Sequence, residues 1–281
     1  PSSFLFLGRL ITVLIGTATV YLLYFCGKKF YDENVGLASA AVFSVVLLHV
    51  KQSQWIVPHA FAVFFMVWVL IVSYNILKNQ QTKHYVYAGI LCGLAIAMIY
   101  SSGLIIFVPV FAHFLINKKS KSMFNKKILY FLLAVAITFL VATPFFVINF
   151  DIAINDAVVK VFTFTNKKTD FGEGYLLLFT KYLREAFGTI PYLLSLFGFG
   201  FLLYRHKKED LLLASFPFIN FLVLGLNKVP MPRYLLPILP FLILAGIIFT
   251  YDIFKKKNLA AFFVVIFLLA VPSAVLNNCH P

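Results

Sequence analysis

Ten apolar stretches, at 9–26, 35–50, 57–77, 85–100, 103–116, 127–149, 189–204, 210–226, 234–251 and 258–276, follow one another with short polar joints between most of them. No other feature limits the possible folds as strongly. The 281 residues are 62% hydrophobic and 12% charged, with 34 phenylalanines. A soluble domain is about half apolar and a quarter charged. The chain therefore reads as a single all-α unit over residues 1–281, a polytopic transmembrane helix bundle of about ten spans. Several stretches fall short of the roughly 20 residues that a straight span needs. The fourth and fifth are divided only by Ser101 and Ser102, and fit either two short helices meeting at a tight turn or one long broken helix.

The net charge of +14 comes from Lys and Arg in the joints. That distribution is a topology signal, and no basic face or nucleic-acid motif accompanies it. Alternate joints divide the basic residues unequally. The richer set holds Lys28, Lys29, Lys78, Lys83, the lysines between 118 and 127, Arg205, Lys207, Lys208 and the lysines at 255–257. The poorer set holds Arg9, Lys51, Lys160, Lys167, Lys168, Lys181, Arg184, Lys228 and Arg233. The richer set is expected in the cytoplasm, so Arg233 is expected to face outward from a plasma (inner) membrane. The first residue is Pro1 and an apolar run follows almost at once, so the chain is read as a piece lacking its true N-terminus.

On the outer side the segment KVPMPRYLLPILP at 228–240 carries the most specific arrangement. Arg233 stands where an apolar run begins, at the depth of the membrane–water boundary. Pro230 and Pro232 stiffen the approach, and Pro237 and Pro240 are expected to kink the run. A guanidinium fixed there suits bidentate contact with a phosphate; it equally suits an interfacial anchor.

Other polar groups are expected on the same outer side. His49, Lys51, Gln52, Gln54, Trp55 and His59 lie at the ends of the second and third runs, where a tight loop would bring His49 and His59 together. Two histidines make no metal site, and no metal-ligand spacing is visible. Trp55 serves either as a substrate-lining residue or as an interfacial anchor. Tyr100, Ser101 and Ser102 form an outward break, and irregular backbone at membrane depth is tolerated where it lines a cavity. Gly89 and Gly93 suit close helix packing. The outer loop 150–188 contains an amphipathic stretch at 176–187, expected to lie in the interface with Thr180, Lys181, Arg184 and Glu185 on its polar side. His113 and Asn220, inside apolar runs, read as core residues satisfied by nearby backbone. Cys26, Cys92 and Cys279 show no disulfide framework.

The stretches GRLITVLIGTATVYLLY at 8–24, VGLASAA at 35–41, AGILCGLAIA at 88–97, TPF at 143–145 and RYLLPILP at 233–240 resemble, in this order, the polyprenol-phosphate-sugar-dependent glycosyltransferases. These are GT-C membrane enzymes that include the protein O-mannosyltransferases and the aminoarabinose transferase of lipid A. The resemblance implies transfer of a sugar from a polyprenyl-phosphate donor to an extracytoplasmic acceptor, with membrane lipids around the bundle and no cofactor beyond an open question of divalent metal. It implies that Arg233 and Tyr234 contact the donor phosphate. The family's acidic general base would precede Pro1, so the piece alone is expected to be inactive. Ile99 stands where a lysine is common, and Pro58-His59 where an acidic residue is common. His59 is the speculative substitute, because an imidazole titrates near neutrality. A lipid-linked saccharide flippase and a non-catalytic scaffold remain as rival readings.

Overall fold

The structure is a computed structural model and describes residues 2–117, 125–155, 175, 181–225, 232–254 and 262. The described chain is helical throughout. Helices α1 (Ser2–Phe30), α2 (Glu33–Val45), α3 (Leu47–Ser53), α4 (Pro58–Asn79) and α5 (Thr82–Met98) come first, and a 3₁₀ segment, Tyr100–Ile106, leads into α6 (Phe107–Asn117). Then come α7 (Lys126–Ala142), α8 (Pro144–Ile148), α9 (Leu183–Phe187), α10 (Thr189–Arg205) and α11 (Lys208–Gly225). A second 3₁₀ segment, Pro232–Ile238, runs into α12 (Leu239–Phe254).

Local chemistry sets several of these boundaries. The Asp32 carboxylate accepts from the Asn34 amide at 2.7 Å and caps α2. Pro58 and Pro144 open α4 and α8, where a missing amide proton costs nothing. Gln80 and His206 end α4 and α10 in the left-handed conformation, with φ of 49° and 55°.

Among the described residues, three helical stretches are long and apolar enough to cross a membrane: Ser3–Phe30, Pro58–Asn79 and Arg233–Phe254. Helices α2 and α3 make a fourth candidate, bent by 65° where Val46 is extended. Thus the run at 35–50 is a broken helix, a feature its sequence does not signal. The other helices are shorter: the longest, α11, has 18 residues, and at about 1.5 Å each these give roughly 27 Å, against about 30 Å of hydrocarbon. The run at 258–276 apart from Phe262, the acidic residues Asp156, Asp170 and Glu173, and Cys279 lie outside the described residues.

The fourth and fifth runs are two helices. Ile99 is extended (φ −150°, ψ 124°) and stops α5. The chain then returns through the 3₁₀ segment, so that His113 of α6 meets Tyr85 at the start of α5, hydroxyl to Nδ1 at 2.7 Å. His113 is thus held by the Tyr85 side chain.

At the centre stands α12, whose residues from Leu239 to Ile248 are all buried, packed on α2, α10, α11 and the segment before it. Against the segment that precedes α12 lies α4, which also packs on α1, α5, α6 and α11. Close crossings need small residues. A Cβ on Gly89 would stand 2.5 Å from the Phe131 carbonyl oxygen of α7, and one on Gly93 would stand 2.8 Å from that of Val135. The glycine pair is therefore the α5–α7 contact surface. Outward lie exposed apolar faces, with Phe4, Leu5, Phe6 and Leu7 on α1 and Leu129, Ile137 and Val141 on α7. Such faces suit lipid, and the chain is an integral membrane protein.

Among the described residues, several basic side chains of the richer set make their contacts at one end of the bundle. At one end Lys78 meets Glu209 at 2.7 Å, and Lys127 donates to the Gln80 carbonyl oxygen at 2.8 Å. There too the Arg205 guanidinium holds Asp210 through Nε (2.6 Å) and Nη2 (2.8 Å). At the other end α1 packs on α3, with Gly8 against Ile56, and α3 and α4 pack on the segment bearing Arg233.

Candidate functional site

The site is built on Pro232–Ile238. Three prolines within nine residues deny the chain the amide donors of an α-helix, so it winds as 3₁₀ until Leu239, and Pro240 falls in the first turn of α12, where proline is tolerated. The kink expected inside the run is therefore a changeover from 3₁₀ to α at its mouth. Six residues before buried α12 begins, the segment presents Arg233 with its side chain exposed. Its guanidinium carbon lies 5.5 Å from the centre of the Tyr234 ring, within cation–π distance. Packing limits the freedom of a long side chain and leaves its charge available.

Four elements surround this segment: α3, the start of α4, α9 and the end of α11. His59, second residue of α4, turns its ring toward Tyr234, with ring centres 6.4 Å apart. Both its nitrogens are shielded from solvent and, among the described residues, neither has a hydrogen-bond partner. The same holds for Gln52 Oε1 on α3 and for Ser102 Oγ in the first 3₁₀ segment. That segment also packs on α4 and α11, so both irregular stretches border the same two helices.

The structure brings together Arg233, Tyr234 and His59. It places the remaining expected residues differently. His49 is buried on the α1 side of α3, stacked on Phe43 at 4.0 Å and facing Gly16, because the bend at Val46 turns it into the core. The two histidines therefore face different neighbours. Lys51 and Trp55 are exposed at the rim. The Tyr100 ring turns toward α7 and α8, with Phe139 and Phe146 at 6.3 and 6.4 Å, while Ser101 is exposed and Ser102 buried.

The part of the 176–187 stretch that is described, 181–187, is helical; 176–180 lies outside the described residues. Leu183, Ala186 and Phe187 of α9 are buried against α3, α10 and the Arg233 segment, with Arg184 and Glu185 exposed. Nothing local in the sequence ties α9 to the site, because its contacts reach the Arg233 segment about 50 residues away and α3 about 130 residues away along the chain. Asn220 on α11 is buried with Oδ1 unpartnered among the described residues, against the expectation of a backbone bond. Among the described residues no group of three His, Cys, Asp or Glu is arranged to hold a metal ion.

The described residues form a helical membrane bundle, and solved structures of the GT-C fold superpose on it. ArnT from Cupriavidus metallidurans bound to undecaprenyl phosphate is 14% identical with a TM-score of 0.59, covering 96% of this chain and 56% of its own. The apo form of ArnT gives 13% and 0.59, covering 97% and 58%. The Archaeoglobus fulgidus oligosaccharyltransferase tethered with an acceptor peptide gives 13% and 0.57, covering 96% and 43%. The chain thus spans between two fifths and three fifths of the length of these proteins, and the similarity is one of fold. No curated protein sequence matches it. The chain belongs to the dolichyl-phosphate-mannose-protein mannosyltransferase family, whose pattern matches residues 5–148, just over half of its length.

Proposed function

We propose that this chain forms part of a membrane glycosyltransferase that moves a hexosyl or pentosyl group from a polyprenyl-phosphate carrier to a lipid, glycan or protein acceptor outside the cytoplasm. Family membership and the fold support a lipid-linked donor. One of the similar structures, ArnT, was solved with undecaprenyl phosphate.

The observation that carries the reading is Arg233, exposed on a proline-stiffened segment at the mouth of an otherwise buried helix. In the transfer an acceptor oxygen attacks the anomeric carbon and loses its proton to a base. The bond from that carbon to the phosphate oxygen breaks, and the phosphate leaves with the electron pair. Its charge grows as the bond breaks, so a fixed guanidinium stabilises the transition state more than the ground state. Tyr234 supports the guanidinium and offers a hydroxyl to the same phosphate. Lys51, Trp55, Tyr100 and Ser101 form the outer rim in this reading.

The poorer share of Lys and Arg at the Arg233 end supports an outward site in a plasma membrane, and the remaining apolar runs support a bundle of about ten spans. Arg233→Ala in the full-length protein, reconstituted in liposomes with a polyprenyl-phosphate sugar, should remove about 1.5–3 kcal/mol and slow transfer roughly ten- to hundredfold. Transfer at the wild-type rate would overturn the phosphate role. Absence of any transfer by the wild-type protein would favour a flippase or scaffold, since neither changes covalent bonds.

A further inference from the structure

Resting on the donor-phosphate reading of Arg233, we propose that His59 and Gln52 form a subsite for the hydroxyl groups of the sugar carried on that phosphate. His59 sits beside Tyr234, the residue next to Arg233. Gln52 lies in the last turn of α3, and both α3 and α4 pack on the segment that bears the arginine. Neither imidazole nitrogen nor Gln52 Oε1 has a partner among the described residues, and all three atoms are shielded from solvent.

Buried polar atoms without a hydrogen-bond partner are unfavourable and rare, so the two side chains call for an occupant with matching chemistry. A neutral imidazole presents one donor and one acceptor, and the amide oxygen presents an acceptor. An ionised phosphate carries acceptors alone and would leave Gln52 Oε1 unmet. A polyprenyl chain carries neither. A metal ion would find one imidazole and one amide oxygen, with no third ligand arranged among the described residues. A sugar hydroxyl both donates and accepts, and the sugar is one bond from the phosphate. The site then divides its work: a cation for the phosphate, and neutral donors and acceptors for the ring hydroxyls.

The test uses the full-length protein in nanodiscs and measures binding of undecaprenyl phosphate and of its mannosyl and glucosyl esters. Wild type should bind at least one ester more tightly than the bare lipid. His59→Phe keeps a ring against Tyr234 and should leave bare-lipid affinity unchanged while weakening that ester about tenfold. His59→Gln, which restores a donor and an acceptor, should recover most of the loss, and Gln52→Leu should weaken the same ester. Wild-type binding of the esters by both His59→Phe and Gln52→Leu would overturn the subsite and leave the phosphate reading standing. Equal loss for bare lipid and ester in both variants would overturn it too, because packing and not hydroxyl recognition would then be at fault. So would a wild type that prefers neither ester. If Arg233→Ala left bare-lipid affinity unchanged, the phosphate reading would fall and take the subsite with it.

Discussion

Asp210→Ala should destabilise the bundle more than any single change at its exposed end. The Asp210 carboxylate is fully covered, and it accepts from Arg205 Nε and Nη2 at 2.6 and 2.8 Å and from the Tyr31 hydroxyl at 2.7 Å. These bonds tie the α1–α2 joint and the end of α10 to the start of α11. Truncating the carboxylate leaves the Arg205 guanidinium between the Tyr31 and Phe201 rings, at 4.8 and 5.0 Å. Its nearest remaining carboxylate is then Asp252, at 3.8 Å. Breaking a buried ion pair from one side costs about 3–5 kcal/mol. With some relief from Asp252, we expect roughly 3 kcal/mol, or on the order of 10 °C in melting temperature. Cys26 and Cys92 are free and buried, so a thiol-reactive fluorophore reads unfolding directly once Cys279 is replaced by serine. The double variant Arg205→Met, Asp210→Leu should lie close to wild type, since apolar side chains of similar size often replace a buried pair without loss. A shift below about 2 °C for Asp210→Ala, or a double variant as unstable as the single one, would refute the reasoning.

Other outcomes follow from the same geometry. Gly93→Val should force α5 and α7 apart, lowering stability by about 1–3 kcal/mol in the same thiol assay, whereas Gly200→Ala, with open space around it, should be neutral or slightly stabilising. Partial burial tends to raise the Glu209 carboxyl, but its hydrogen bond to Lys78 prevails and holds it below the ordinary carboxylate range. Its contribution is therefore complete above about pH 4.5 and fades as pH falls through the lowered value. Melting curves of wild type and Glu209→Gln should differ by less than about 1 kcal/mol at neutral pH and converge on acidification; a gap that widened in acid would contradict this. His49→Phe should keep the stack on Phe43 and leave sugar transfer within about threefold of wild type, and a hundredfold loss would return His49 to the site.

Much of the candidate site was legible because its chemistry is compact in sequence. Arg233, Tyr234 and their flanking prolines lie within nine residues, and proline's missing amide acts locally. Gly89 and Gly93, four apart, likewise announced a close helix contact, though not its partner α7. The bend at Val46 was hidden, because neither Gly nor Pro marks it. With it went the fate of His49, which a straight helix would have carried toward His59. Tyr100 gave a correct break and a different neighbour: Ile99 ends the helix locally, but the aromatic surface of α7 and α8 captures the ring.

The difference between the two kinds of information is one of range. Apolar composition and the charge of the joints act residue by residue on transfer into lipid, so the sequence alone determined that this chain is a helical membrane protein with two unlike ends. Proline and glycine limit the backbone at their own positions, so it also determined where an arginine would stand on a broken segment. Which side chains meet there is decided by α3, α4, α9 and α11 packing around residues 232–238. Such contacts join positions far apart in the chain, and only the assembled bundle brings them within reach of one another.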